Sequence, residues 1–349
     1  MGNLAFSGRL LTWWDLHGRK DLPWQHPRSA YRVWVSEIML QQTQVKTVIP
    51  YFNRFVDRFT DVRSLAAASE DEVLALWSGL GYYARGRNLL KAAKVCLEDH
   101  AGELPRTPQA LAALPGIGES TANAIYSQAW DKPAVILDGN VKRVLARYFA
   151  VEGWPGKTSI HKQLWTNAEQ LLPTTRGADY SQAIMDLGAT LCTRSKPACE
   201  QCPVSEGCKA SKAGTVAQFP ARRPPLKISK KSFQMLILIN NNGSVLLERR
   251  PPAGIWGGLW SLPADDSGLP VQQRLGVENG ILKSLPSLQH QLTHIHMTIL
   301  PLIGHTEPAS TGVECTADQR WFGRQEWQEL GLPKPVRQLL ETYLESGEK

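Results

Sequence analysis

The chain contains no run of about 18 apolar residues, which excludes a membrane-spanning helix. It lacks a secretory signal: the first residues carry Asp15 inside a broken, Trp-rich apolar stretch. A myristoylation signal is also missing, since Met1-Gly2 is followed by Phe6 where Ser or Thr is required. No internal repeat is present. Cysteine is sparse outside one short segment, so the chain is not a disulfide scaffold. These absences read as a cytoplasmic protein with no membrane partner.

What is there is globular. Apolar residues make up 42% and charged residues 20% of 349, too apolar for disorder and too long for a single core of ordinary size. Charge is unevenly placed. Residues 1–230 hold 29 Lys and Arg against 20 Asp and Glu, whereas residues 231–349 hold 10 against 12. A basic excess confined to the first part suits a surface that faces a polyanion, although solubility alone would also account for it.

Four of the six cysteines, Cys192, Cys199, Cys202 and Cys208, follow the spacing C-x6-C-x2-C-x5-C. Reducing surroundings argue against disulfides. Structural zinc usually takes two short-spaced pairs, and only Cys199 and Cys202 form one. Four thiolates wrapped in one loop suit a 4Fe–4S cluster, whose irons lie apart from one another. Arg194 and Lys196 within the loop could present positive charge to phosphates. Cys96, in a helical run, reads as a buried inert thiol, and Cys315 as structural.

Helical spacing marks Phe6–His17, Arg32–Phe59, Glu70–Leu80, Ala84–Glu98, Pro108–Leu114, Thr121–Trp130, Val141–Phe149, Ile160–Leu172 and Tyr180–Cys192. Residues 1–215 are therefore expected to be a mostly helical region. The Pro-rich, basic stretch 216–231 reads as a linker. Residues 232–349 change pattern: Phe233–Ile239, Ser244–Glu248, His290–Pro301 and Trp321–Gly323 are strand-like, with helices at Val271–Leu275 and Val336–Glu345, giving an α+β domain.

Three segments carry chemistry. Leu114-Pro115-Gly116-Ile117-Gly118-Glu119-Ser120 joins two helices through a Gly-rich turn, where backbone N–H groups at a helix start can approach a phosphate. Glu37 shares a helix face with Val33, Trp34, Leu40 and Gln41; desolvation there should raise its pKa and keep it a proton donor. A cap or an ion pair is the plain alternative. Asp138, just before Gly139-Asn140-Val141-Lys142-Arg143, is either a helix N-cap or a second carboxylate, ionised beside Lys142. Two carboxyls with opposed protonation are what cleavage at a sugar C1′ demands, but the sequence does not separate cap from catalyst.

These segments, with Gly79-Leu80-Gly81-Tyr82-Tyr83-Ala84-Arg85 and the cysteine loop, stand in the order of a known family. Together they resemble the adenine DNA glycosylase (MutY) family of the endonuclease III superfamily, over about residues 5–215 closely and more loosely beyond. The resemblance implies a six-helix barrel with a helix-hairpin-helix and an iron–sulfur domain, followed by a Nudix-like domain. It implies removal of adenine mispaired with 8-oxoguanine or guanine in duplex DNA, by a monomeric, nucleoid-associated bacterial repair enzyme that extrudes the base. By position, Glu37 would protonate adenine N7, and Asp138 with Asn140 would stabilise the sugar cation and activate water. Trp24 and Asp186 would surround the adenine. Gln42 and Tyr82 would wedge into the stack. Leu114, Gly116, Gly118, Ser120, Lys142, Arg143, Arg194 and Lys196 would meet the DNA. Endonuclease III carries a nucleophilic lysine where this chain has Ser120, so no Schiff base forms there and a monofunctional enzyme is expected. Lys142 could still react with an abasic sugar as a side reaction.

The last domain resembles the Nudix fold of the 8-oxo-dGTP hydrolase MutT around Gly254–Pro263. Its metal-binding helix is missing: Val271–Gly280 contains one Glu, so a recognition module is expected rather than a hydrolase. Leu292, Thr293 and His294 stand where the family reads 8-oxoguanine with Phe-Ser-His. Thr keeps a hydroxyl; Leu loses the stacking ring. A metal among His290, His294 and His296 is a minor alternative. Two other functions compete: a bifunctional pyrimidine glycosylase/lyase, opposed by Ser120, and a non-catalytic DNA scaffold, opposed by Glu37 and Asp138.

Overall fold

The computed structural model describes residues 2–225, 228–265, 269–277, 281–306 and 318–345. Cys315 and the one Glu of the Val271–Gly280 stretch lie outside them. The chain divides into two compact units, Met1–Ala67 with Asn88–Pro224, and Ala68–Arg87 with Pro225–Lys349.

The first unit is helical. Its elements are α1 (Gly2–His17), α2 (Ala30–Leu40), α3 (Val45–Arg58), α4 (Val62–Ala66), α7 (Pro108–Ala113), α8 (Glu119–Trp130), α9 (Gly139–Tyr148), α10 (Thr158–Glu169), α11 (Gly177–Thr190) and α12 (Lys209–Lys212). Between α4 and α7 come α5 (Glu70–Trp77), which belongs to the second unit, and α6 (Ala84–Asp99), which runs across the boundary. A core of Leu10, Trp14, Val141, Val144, Leu145, Leu164, Tyr180, Ile184 and Leu187 joins α1, α9, α10 and α11. Most of these residues recur three or four apart on their helices, the spacing of one apolar stripe.

The periodicity predicted one helix over Arg32–Phe59. The structure breaks it at Gln41–Gln44, where Gln42 takes a left-handed backbone (φ 59°) that an α-helix cannot continue through. The short helix α4 was not anticipated; its signal is a capping box in which Asp61 accepts from Ser64 N at 2.7 Å.

Among the described residues, the second unit is built on a seven-stranded sheet of β1 (Ser229–Asn240), β2 (Val245–Arg249), β3 (Trp260–Ser261), β4 (Leu282–Ser284), β5 (Leu288–Leu292), β6 (Ile295–Thr306) and β7 (Gln319–Phe322). The central pair β1 and β6 is parallel, in register from Ser229 opposite Ile295 to Asn240 opposite Thr306; the other pairings are antiparallel. Met235, Ile237 and Ile239 of β1 enter one core with Trp327, Val336 and Leu339 from the helices Arg324–Gln328 (α14) and Lys334–Leu340 (α15). Leu236 and Leu238 enter a second core with Val271 and Leu275 at the helix Val271–Arg274 (α13). A strand covered on both faces explains the unbroken apolar run.

Two expectations need correction here. His290–Pro301 is not one strand: Leu292 pairs with Ile295, and Thr293–His294 is a hairpin turn between β5 and β6. The linker 216–231 is also shorter than expected, because Val216–Gln218 forms a 3-10 turn in the first unit and β1 starts at Ser229. The segment Ala68–Arg87 packs with the last domain: Ser78 and Tyr83 hydroxyls donate to Leu332 O, Asp71 pairs with Arg249, and Arg87 donates to Gly257 O and Pro252 O.

Candidate active site

A cleft of about 1020 Å³ opens in the first unit, lined by Trp24, Glu37, Gln42, Ser120, Asp138, Asn140, Arg143, Gln182 and Arg194 among others. Ser29 caps α2, accepting from Arg32 N at 3.2 Å, and sets the helix so that Glu37 on its last turn meets the cleft. Val33, Trp34, Ile38 and Met39 around it are buried. Burial raises Glu37 from the usual carboxylate range to about 7; the charge of Asp138 acts in the same direction, and a hydrogen bond from Gln128 opposes it. Gln128 Nε2 donates to Glu37 Oε1 at 2.7 Å. The sequence reading anticipated the apolar surroundings and missed Gln128, which is distant in sequence.

Asp138 caps the helix that follows it. Its Oδ1 accepts from Val141 N at 2.7 Å and caps α9, while Oδ2 has a 3.4 Å contact from Asn140 Nδ2. Burial pushes its pKa up, against the pull of the Val141 and Asn140 N–H groups and the Arg143 and Lys142 cations. The expected stabilisers of the ionised form are therefore present, but desolvation outweighs them. Gly188 on α11 lets this helix start come close: a Cβ there would lie 2.7 Å from that of Asn140.

Other expected residues are placed differently. Asp186 is not in the cleft wall. It lies behind, fully buried, accepting from Trp14 Nε1, Arg19 N, Nε and Nη2, and Gln182 Nε2 at 2.6–3.1 Å. Arg19 and Gln182, which Asp186 holds, are the residues that reach the cleft. Arg143, expected at DNA, is occupied internally: it donates to Cys192 O, Gly188 O and Asn140 Oδ1 at 2.6–2.8 Å. Ser120 Oγ accepts from Leu137 N at 2.8 Å, tying the hairpin to the extended run before Asp138. Leu114 is buried, so only its backbone is near the turn, whereas Gly116 (φ 79°) and Gly118 are exposed at the start of α8. Lys142 is half-buried outside the cleft lining, and Lys196 is exposed.

Cys192, Cys199, Cys202 and Cys208 line one cavity with Val144, Leu187, Leu191 and Val204. Among the described residues, no three His, Cys, Asp or Glu side chains could hold a single metal ion. Four thiols around an apolar cavity fit a cube of irons better than one tetrahedral zinc. Arg147, 3% exposed, fastens the loop: it donates to Cys192 O and Sγ, Thr193 O, Arg194 O and Phe219 O at 2.7–3.3 Å. Arg147→Met leaves these carbonyls unpaired in a buried place. The expected cost is about 3 kcal/mol or more in urea unfolding, with loss of bound iron and of visible absorbance.

In the second unit, Tyr82 is 46% exposed on a left-handed residue (φ 49°), and its hydroxyl lies 3.1 Å from Thr293 Oγ1. Arg85, beneath it, donates to Gly81 O at 3.0 Å and lies about 5.4 Å from the Tyr82 ring and 5.6 Å from that of Trp77. Leu292 is half-buried, and Thr293 and His294 are exposed. His290 packs against Trp256, with ring centroids 5.9 Å apart.

A Gly-rich helical hairpin, a cleft with two buried carboxyls and a four-cysteine loop are the parts of a DNA glycosylase of the helix-hairpin-helix class. Residues 35–170 match the HhH-GPD superfamily base excision DNA repair protein, residues 192–208 the iron–sulfur binding domain of endonuclease III, and residues 234–342 the NUDIX domain. The chain belongs to the adenine DNA glycosylase family. It is 35% identical to the adenine DNA glycosylase of Buchnera aphidicola subsp. Schizaphis graminum, over 97% of this chain and 99% of that one. It is 34% identical to that of Mus musculus, over 97% and 78%. A thermostable thymine-DNA glycosylase structure is 31% identical with a TM-score of 0.54, covering 60% of this chain and 95% of its own. An endonuclease III–DNA complex, 20% identical with a TM-score of 0.51, shares the fold. The protein is a DNA N-glycosylase carrying a 4Fe–4S cluster, and its four clustered cysteines lie in the segment that matches the iron–sulfur binding domain.

Proposed function

We propose that the enzyme removes adenine opposite 8-oxoguanine or guanine in duplex DNA, with Glu37 as acid and Asp138 as the anionic partner. The observation that carries this is one cleft holding both carboxyls: Glu37, which burial raises to about 7, and Asp138, which burial also raises but whose oxygens meet the Val141 and Asn140 donors and the Arg143 and Lys142 cations that favour its charged form. The extruded adenine enters the cleft beside Trp24. Glu37 protonates N7, which weakens the bond to C1′. Asp138 stabilises the oxocarbenium-like sugar, and with Asn140 it directs the replacing water. Because Gln182 Nε2 donates to Asp186, its amide oxygen is left to accept from the exocyclic amine of adenine, a donor that guanine lacks at that position. Cys192, Cys199, Cys202 and Cys208 would hold the cluster, and Arg147 fastens the loop that carries them.

The hairpin at Gly116–Ser120, with Lys142, Arg194 and Lys196, contacts the backbone, and Gln42 and Tyr82 wedge into the stack. Residues 232–349, together with Ala68–Arg87, form the reading domain, in which Tyr82 and Thr293 address 8-oxoguanine. One chain supplies every part, which suits a monomer working on the bacterial chromosome in the cytoplasm.

The test compares duplexes that differ only in guanine or 8-oxoguanine opposite adenine, scored by strand scission after alkali. Scission requiring alkali and faster with 8-oxoguanine is expected; scission without alkali, or an equal rate on both, overturns the reading. Thr293→Val removes the hydroxyl but keeps the shape. It should lower the 8-oxoguanine preference about tenfold in single-turnover rates, as loss of one neutral hydrogen bond implies, with little change on guanine.

A further inference from the structure

We infer that Gln128 is a positioning residue for the proton donor: it pins one oxygen of Glu37 and leaves the other to carry the proton into the cleft. This rests on reading Glu37 as the acid. Thr121 and Ala124 of α8 line the cleft, and Gln128 lies one turn further along the same helix face. It is 5% exposed, and a buried amide is costly unless paired. Its Nε2 lies 2.7 Å from Glu37 Oε1.

An N–H donor at Oε1 makes that atom the carbonyl-like oxygen of the protonated acid, so the proton resides on Oε2. Once N7 has taken the proton, the same N–H stabilises the new carboxylate. Gln128 therefore makes Glu37 a stronger acid than its burial alone would allow, which agrees with its opposing effect on the raised pKa. The charged groups facing the cleft are Asp138 and Arg143 at the start of α9, Arg19 after α1, Lys46 on α3 and Arg194 in the cysteine loop. The α8 and α11 side chains nearest it, Gln128, Gln182 and Met185, are neutral.

Gln128→Met is nearly isosteric and has no donor. Two readouts follow it: the titration of Glu37 by carbon-13 NMR of labelled glutamate, assigned with Glu37→Gln, and the pH profile of single-turnover adenine release. Losing the donor destabilises the carboxylate. The Glu37 midpoint should rise by about one pH unit, the fall in rate on the alkaline side should move up equally, and the plateau rate should drop severalfold. A midpoint that stays or falls overturns the inference. If the alkaline fall vanishes in Glu37→Gln but is unmoved in Gln128→Met, only the role of Gln128 fails. If Glu37→Gln keeps both rate and profile, Glu37 is not the acid and the inference falls with it. Should Gln128→Met not fold, Gln128→Asn, whose amide is one methylene short, carries the same test.

Discussion

Glu37→Gln is expected to slow single-turnover adenine release by about 10³-fold, within the range that a positioned acid contributes. The substitution keeps volume and planarity, and its amide can still pair with Gln128, so the helix end and cleft wall should stay in place. What disappears is a proton that can leave. The pH dependence gives the sign. With Glu37 at about 7, native activity falls as pH rises through that value, because the acid loses its proton before it can donate it. The variant should be slow at every pH and show no such fall. A residual activity that still declines above neutrality would assign the titration to another group.

Asp138→Asn should cost about 10²–10³-fold, the size of one strong electrostatic contribution to a developing charge. Asn caps helices about as well as Asp, so the variant should unfold in urea like the native protein. Asp138→Ala separates the two duties. It should lose the same activity and, in addition, about 1 kcal/mol of stability, because Val141 N loses its acceptor. Equal stability for the Asn and Ala variants would mean that the cap contributes nothing to holding α9.

Much of this was legible in sequence because the signals are local. Helical periodicity placed most of the helices, and the apolar residues flanking Glu37 on its own helix foretold a raised pKa. The Gly-rich hairpin and the spacing of four cysteines also read directly. Contacts between distant segments did not. Gln128 reaches Glu37 from another helix, and Asp186 holds Arg19 and Gln182 rather than facing the cleft. The family resemblance set Arg143 at the DNA; it lines the cleft while its guanidinium donates to the carbonyls of Gly188 and Cys192, contacts that no local pattern announces. The β5–β6 turn escaped notice because Thr293–His294 has none of the Gly, Asn, Asp or Pro that mark hairpins. The packing of Ala68–Arg87 with the last domain leaves no local trace at all.

Gln42 and Tyr82, each exposed, hold left-handed backbones without being glycine, an arrangement that costs on the order of 1 kcal/mol per residue. Glycine at either position would relax the chain, and such a variant would melt later. It would also lose the side chain that the proposed function sends into the base stack. These loop tips are thus places where a more heat-resistant protein and a better repair enzyme are different molecules, and screening for thermal tolerance alone would select the wrong one.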